Sequence, residues 1–249
     1  MKLRKTVYVV TLFCAALFCV ASCISVGYNK ENRGNGELVT TEINISDYDA
    51  VKISGAATFN YQQMDTSPYL QFTIDENLLE HVDIYVSGKT LNISLQNKQG
   101  IGCSPTKYII NTNSRTLSNV KTSGSVDINL LSEVETDYLN FDLSGSASVN
   151  AGYPIVVNRL ETNISGSGEV FVSGDAATCV LKISGSGKMI APNLNAKHFD
   201  CKISGSGGVD IHVTEHIDCE ISGSGSLIYS GNPSTVNQSV SGSGKLIKR

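Results

Sequence analysis

A Ser-Gly-Ser-Gly-like element recurs through the second half of the chain, at Ser123, Ser144, Ser165, Ser184, Ser204, Ser222 and Ser241. Successive copies lie 21, 21, 19, 20, 18 and 19 residues apart, and an eighth, Ser54-Gly55-Ala56, stands upstream. A period of this length leaves few folds open. Each unit is too short to bury a core of its own, so the units must stack on one another. Aligned on the first Ser, the copies place Ile53, Thr122, Leu143, Ile164, Ile183, Ile203, Ile221 and Val240 in the preceding position. Two residues earlier stand Val51, Val120, Phe141, Thr162, Leu181, Cys201, Cys219 and Gln238. Polar residues such as Lys52, Lys121, Asp142, Lys182 and Lys202 fall between these columns. This is the period-2 alternation of a strand with one face inward. A third apolar column, five residues past the Ser, runs from Phe59 through Ile128, Val149, Val170, Met189, Val209 and Leu227 to Leu246.

Strand, turn, second strand and return within about 20 residues predict an all-β fold, a single-stranded parallel β-helix with three sides. Its columns stack ~4.8 Å apart, and seven rungs would make a rod on the order of 35 Å long. Gly55, Gly124, Gly145, Gly166, Gly185, Gly205, Gly223 and Gly242 take the corners, where the chain turns with φ > 0 and only Gly does so cheaply. A phosphate-cradling loop is excluded, because strands rather than a helix follow each element.

Between residues 57 and 120 the rhythm breaks. Ordinary strands are expected at Thr58–Met64, Tyr69–Asp75, Val82–Ser87, Thr90–Leu95 and Lys107–Thr112, with Ser87-Gly88-Lys89 as a hairpin loop and a helical turn near Asp75–Glu80. The reading is therefore an N-terminal β segment over 41–120, continuing into or capping the solenoid, and β-helix repeats over 121–249.

The chain begins with Lys2, Arg4 and Lys5, then an apolar run from Val7 to Val20. That run has the length of a signal peptide and falls short of the ~20 residues a membrane-spanning helix needs. It ends in Val20-Ala21-Ser22-Cys23, which resembles a bacterial lipobox. The resemblance implies a lipoprotein signal peptide over 1–22 and lipidation of Cys23, with the membrane as partner through that anchor. Residues 24–40, rich in Asn and Gly, read as a flexible tether. Ile24 follows the Cys with no acidic cluster nearby, which favours the outer membrane, its periplasmic or outer side left open. Losing the three basic residues with the signal takes the formal net charge from −4 to −7, which argues against nucleic acid as a partner.

Four cysteines remain beyond Cys23: Cys103, in a loop and exposed, and Cys179, Cys201 and Cys219. Cys201 and Cys219 share an inward column and read as small buried hydrophobes, a cross-rung disulfide being left open.

The stretch Tyr48–Val51–Ile53-Ser54-Gly55, then Tyr61-Gln62-Gln63, then Thr73-Ile74-Asp75-Glu76-Asn77-Leu78-Leu79, Val82–Val86 and Thr90-Leu91-Asn92-Ile93, followed by the Ser-Gly-Ser repeats, resembles the head GIN domain family. Members are described as auto-transporter adhesins and are often exported lipoproteins. The resemblance runs from about residue 40 to the C-terminus. It implies a β-helical fold and an envelope location, and brings no catalytic residues with it.

Among outward residues, His198 and His216 occupy one column in adjacent rungs, and Asp200 and Asp218 the next. Imidazole and carboxylate in such a cluster could meet a divalent ion or a surface ligand. Paired carboxylates also raise a β-helix polysaccharide lyase or hydrolase, but the turns are short and no compact acid/base constellation appears. No cofactor is expected. The function expected is non-catalytic: an adhesin or glycan-contact module whose partner is a polysaccharide or a surface protein. Contact is placed on outward columns near the corners, at Lys182, Lys202, His198 and His216. The alternative is a structural module that oligomerises through its solenoid ends.

Overall fold

A computed structural model describes residues 32–249 apart from Lys98. The signal segment, Cys23 and the first part of the expected tether lie outside the described residues. Six strands build the N-terminal part: β1 (Leu38–Asn44), β2 (Ala50–Gln63), β3 (Tyr69–Asp75), β4 (Val82–Ser87), β5 (Thr90–Leu95) and β6 (Tyr108–Ser114). The repeats supply β7 (Asn119–Leu130), β8 (Val134–Gly145), β9 (Ser148–Ala151), β10 (Ile155–Gly166), β11 (Glu169–Phe171) and β12 (Gly174–Gly185). They continue through β13 (Lys188–Gly205), β14 (Gly208–Gly223), β15 (Ser226–Ser230), β16 (Thr235–Gly242) and β17 (Lys245–Lys248). A short 3-10 turn at Glu76–His81 is the helical turn expected near Asp75. No helix among the described residues is long and apolar enough to cross a membrane.

The repeats stack in parallel and in register, forming a β-solenoid of about six turns. Ser165 lies between Ser144 and Ser184, Ile164 between Leu143 and Ile183, and Thr162 between Phe141 and Leu181. Burial alternates residue by residue and slips at three places per turn, for example at Asn158-Arg159, Ser165–Ser167 and Ser173-Gly174. These are the corners of a three-sided coil. The shortest repeat spacing, 18 residues between Ser204 and Ser222, is where β13 and β14 shift register, around Ala191/Asn195 and Ala196/His198.

The corner glycines all have positive φ, from 93° at Gly145 to 125° at Gly185. They also pack on one another. A Cβ at Gly185 would lie 2.6 Å from the Gly166 carbonyl oxygen, and one at Gly205 would lie 2.4 Å from that of Gly185. The second Gly of the motifs from Ser165 onward has a different reason, because it points inward. A Cβ at Gly187 would lie 2.5 Å from Cγ2 of Ile164, so the tight Ile column requires it.

The N-terminal part is laid down out of order. β2 is the first true rung, yet β7, the rung that follows it in space, comes 69 residues later, Ser54 pairing with Ser123. The intervening chain covers the other edge of β2. β5 pairs with Ala50–Ser54 and β6 with Thr58–Gln63, both parallel. Antiparallel strands then close the end: β4 on β5, β3 on β6, and β1 on β3. The segment expected to continue or cap the stack therefore does both, adding a rung and its lid.

The expected tether through residue 40 is corrected over its last part. The backbone N–H of Gly34 donates to Ser104, Asn32 is buried, and Leu38 to Thr40 already belong to β1. Asp75 is the physical reason. Its buried carboxylate accepts from the Gly36 N–H at 2.8 Å, the Thr106 N–H at 2.8 Å and the Thr106 hydroxyl at 2.6 Å. Burial alone would raise its pKa; the hydrogen bonds from Thr106, Gly36 and Lys107 outweigh that and hold it below the usual carboxylate value.

Candidate functional site

The first face that sequence reading singles out is the outer side of the strands leading to the Gly corner. The alternation that buries Ile183, Ile203 and Ile221 turns Lys182, Lys202 and Glu220 outward as one ladder. Lys202 pairs with Glu220 at 2.9 Å, and Lys121 with Asp142 at 2.7 Å. Opposite charges one rung apart neutralise each other along the ladder, and as exposed pairs each contributes only ~0–1 kcal/mol.

On the same face His198 stands beside His216 and Asp200 beside Asp218, in register. The imidazole centroids are 6.3 Å apart and tilted by 53°. The two pairs do not merge into one centre. Among the described residues no group of three or more His, Cys, Asp or Glu is arranged to hold a metal ion. Each pair joins one rung to the next, and the two pairs stand two residues apart along β13 and β14. His198 faces Glu215 at 3.5 Å. Asp200, Asp218, Lys182, Lys202 and Glu220 line a shallow groove of about 300 Å³.

Cys201 and Cys219 are buried beneath this face as free thiols in register. A hydrogen bond to Cys219, together with burial, holds the Cys201 thiol well above the ordinary range. Cys103, expected to be exposed, is buried, its N–H directed at the Leu95 carbonyl. The loop around it folds onto the lid, which sequence reading did not anticipate.

A second face lies beyond the Gly corner. Its outward columns bring Asn111, Asn60, Asn129 and Asn150 into one line across β6, β2, β7 and β9, and the next position in that line is Phe171. Asn60 donates to Asn111 at 2.8 Å, and Asn129 donates to Asn60 at 2.9 Å. In the neighbouring column Ser148 donates to Asp127 at 2.6 Å, and Lys188 pairs with Glu169 at 3.0 Å. A groove of about 500 Å³ runs between Thr58, Asp127, Asn129, Ser148, Asn150 and Phe171.

A model of the family described as putative auto-transporter adhesin, head GIN domain, matches residues 47–233. The chain belongs to the head GIN domain family. Among solved structures, a putative lipid binding protein from Parabacteroides distasonis ATCC 8503 is 31% identical, with a TM-score of 0.75, over 87% of this chain and 98% of that one. A putative adhesin from Parabacteroides merdae ATCC 43184 is also 31% identical, with a TM-score of 0.65 and the same coverage. A putative adhesin from Bacteroides fragilis NCTC 9343 shares the fold at 24% identity, with a TM-score of 0.81, over 87% of this chain and 99% of that one. Comparison with curated proteins gives no match. The family's adhesin description suggests a cell-surface or envelope protein.

This head GIN domain carries functional candidates that sequence reading missed. The Asn ladder was invisible because Asn60 and Asn129 are 69 residues apart and become neighbours only when β7 returns beside β2. The cluster of Tyr138, Arg159 and Glu161 was missed as well. Tyr138 donates to Glu161 at 2.8 Å, and the Arg159 Nε donates to the other carboxylate oxygen at 2.9 Å. The hydrogen bonds from Tyr138 and Arg159 hold the Glu161 pKa below the usual value. The columns themselves were readable: Arg159 stands between Tyr138 and Thr178, and His198 follows.

Proposed function

We propose that this chain is a non-catalytic, lipid-anchored envelope protein of the outer membrane, which uses the flat outer faces of its solenoid to contact a polysaccharide or a surface protein. The observation that carries the proposal is the in-register repetition of outward polar side chains over successive turns. A ladder of this kind offers an outward polar group every ~4.8 Å on a backbone held rung to rung by the sheet. Such a surface suits a repetitive or extended partner, in the sense of the family's adhesin description. The lipobox at Val20-Ala21-Ser22-Cys23 supports the anchoring. An anchor of more than one acyl chain is stable because each buried methylene contributes ~0.8 kcal/mol.

The test is surface accessibility together with attachment. Protease shaving and antibody labelling of intact cells are expected to reach the protein without lysis, and deletion is expected to reduce attachment to a glycan-coated or matrix-coated surface. Labelling only after lysis, or attachment unchanged on deletion, overturns the reading. A Cys23→Ala variant is expected to leave the membrane fraction.

Two other readings have simple discriminating experiments. A self-assembling structural module would grow in light scattering as concentration rises, whereas this proposal expects a constant mass. A lyase or hydrolase would release unsaturated or reducing ends from acidic polysaccharides, and none is expected.

A further inference from the structure

We infer that the groove ending on Phe171 is a binding site for a neutral oligosaccharide chain. This deepens the surface-contact reading above and rests on it, by naming the class of ligand and the face that takes it.

Phe171 breaks a polar line. Its ring is turned outward and 36% exposed, between Asn150 on one side and Ile190 on the other. The alternation that sends it out is the same one that buries Val170 and Val172, so no core demands an aromatic there. A pyranose ring has the complementary chemistry. Its C–H face is apolar and packs on an aromatic ring, while its hydroxyls lie around the rim and need paired donors and acceptors.

The rest of the groove supplies those pairs. A primary amide presents a donor and an acceptor in one plane, which suits two adjacent hydroxyls. Asn60 and Asn129 are oriented by the hydrogen-bonded ladder that begins at Asn111, so their conformations are set before any ligand arrives. Asn150, exposed beside Phe171, closes the ladder, and among the described residues its amide has no protein partner. Asp127 is oriented by Ser148, which occupies one oxygen and leaves the other to accept from a ligand hydroxyl.

Charge selects within the sugars. The groove contains Asp127, while Glu169, two strands further along the same column, is offset by Lys188 at 3.0 Å. An acidic sugar would meet an uncompensated carboxylate at Asp127, and a neutral one would not. Length fits an oligomer: the groove crosses β2, β7, β9 and β11. That is three inter-strand spacings, on the order of 14 Å.

The experiment is calorimetric titration of the full chain in detergent with cellohexaose, mannohexaose and chitohexaose, and with a hexamer of galacturonic acid as the acidic counterpart. At least one neutral hexamer is expected to bind saturably. Phe171→Ala is expected to weaken binding by about tenfold, the loss of one stacking contact. Asn129→Ala with Asn150→Ala should weaken it by roughly three- to tenfold. Asp83→Ala, at an exposed position of the lid strand β4 away from the groove, should leave it unchanged. Circular dichroism melting is expected to show all these outward-facing variants folded. The inference is overturned if no neutral hexamer binds at millimolar concentration, if the acidic hexamer binds better, or if Phe171→Ala binds like the unaltered protein. Attachment assays separate this failure from that of the broader reading. Attachment lost on deletion but kept in Phe171→Ala, with no neutral hexamer bound, sinks the oligosaccharide site alone. Attachment that survives deletion sinks the surface-contact reading.

Discussion

The N-terminal lid and the regular turns are joined in one continuous sheet, yet they are held together differently. In the turns from β8 onward the core is columns of like residues, such as Leu143, Ile164, Ile183, Ile203 and Ile221, each stacked on its equivalent. Glycine corners seat on one another with no room for a methyl group. The lid instead buries a polar network. Besides the Asp75 carboxylate, the Tyr48 hydroxyl meets that of Thr112 at 3.0 Å, and the Tyr61 hydroxyl meets that of Ser114 at 2.9 Å. Desolvation by burial raises both tyrosines, Tyr61 to about 12, so both remain neutral donors. Asn32, Asp75, Thr112, Asn113 and Ser114 are all buried there. The difference has a physical meaning. Equivalent turns have no unique origin, since a stack of Ile columns is nearly as content one rung out of step. Directional hydrogen bonds tolerate no such slip, because a missed partner leaves a buried group unsatisfied. The lid therefore sets where the stack begins, and the columns extend it.

Several substitutions test this contrast, and the largest effect belongs to the columns. Ile203→Asp places an unpaired charge at a fully buried position and should cost more than about 4 kcal/mol or abolish folding. Lys202→Asp next door should stay within about 1 kcal/mol. Urea unfolding checks the pair, and equal effects would refute the alternation. Next come the corners. Gly185→Ala meets both a φ of 125° and the Gly166 carbonyl at 2.6 Å, whereas Gly55→Ala has a φ of 107° with nothing within 4 Å. The first should cost roughly 3–5 kcal/mol and the second about 1–3 kcal/mol, and their difference measures the glycine stack itself. No difference would mean that only conformation, not contact, selects these glycines.

The lid should break locally. Asp75→Ala strands the N–H groups of Gly36 and Thr106 and should cost roughly 2–3 kcal/mol. Hydrogen exchange is expected to quicken at residues 34–44 and 104–107 while the later turns stay protected; uniform deprotection would show that the two regions are one cooperative unit. The sign of the pH dependence follows from the depressed pKa of Asp75. Its stabilisation is fully present above the unfolded value of ~3.9 and is lost as pH falls through the lower folded value. Acid unfolding should therefore start at the lid, and Asp75→Ala should flatten that limb. The smallest effect has the opposite sign. Thr162 sits in a column between Phe141 and Leu181 with its buried hydroxyl unpartnered among the described residues. Thr162→Val should raise stability by about 1 kcal/mol, read from the shift in the urea midpoint.

Much of this architecture was legible before any coordinate. The expected strands Tyr69–Asp75, Val82–Ser87 and Thr90–Leu95 match β3, β4 and β5 end to end. The inward and outward columns of the repeats are those that burial shows, from Val51 and Ile53 to Cys219 and Ile221. Two readings went astray for a common reason. The tether through residue 40 and the exposed Cys103 were both judged on local composition, and both segments are held by partners far along the chain: Asp75 for Gly36, and Asn32 for Ser104, the neighbour of Cys103. The outward pairs at 198/216 and 200/218 stand in register, as their columns implied.

What the sequence determined by itself is everything that repeats. Alternation, corner glycines and stacking depend on residues one turn apart, and a 20-residue period writes those relations out again and again until they can be read. What only the tertiary structure decided is what happens once. The return of β7 beside β2, the antiparallel lid, the Asp75 clasp and the Asn ladder leading to Phe171 each join residues by a crossing that no local pattern encodes. Burial alternation is a property of neighbours along the chain. The partner across a sheet depends on where a 69-residue excursion comes to rest, and that is settled by the packing of the whole lid.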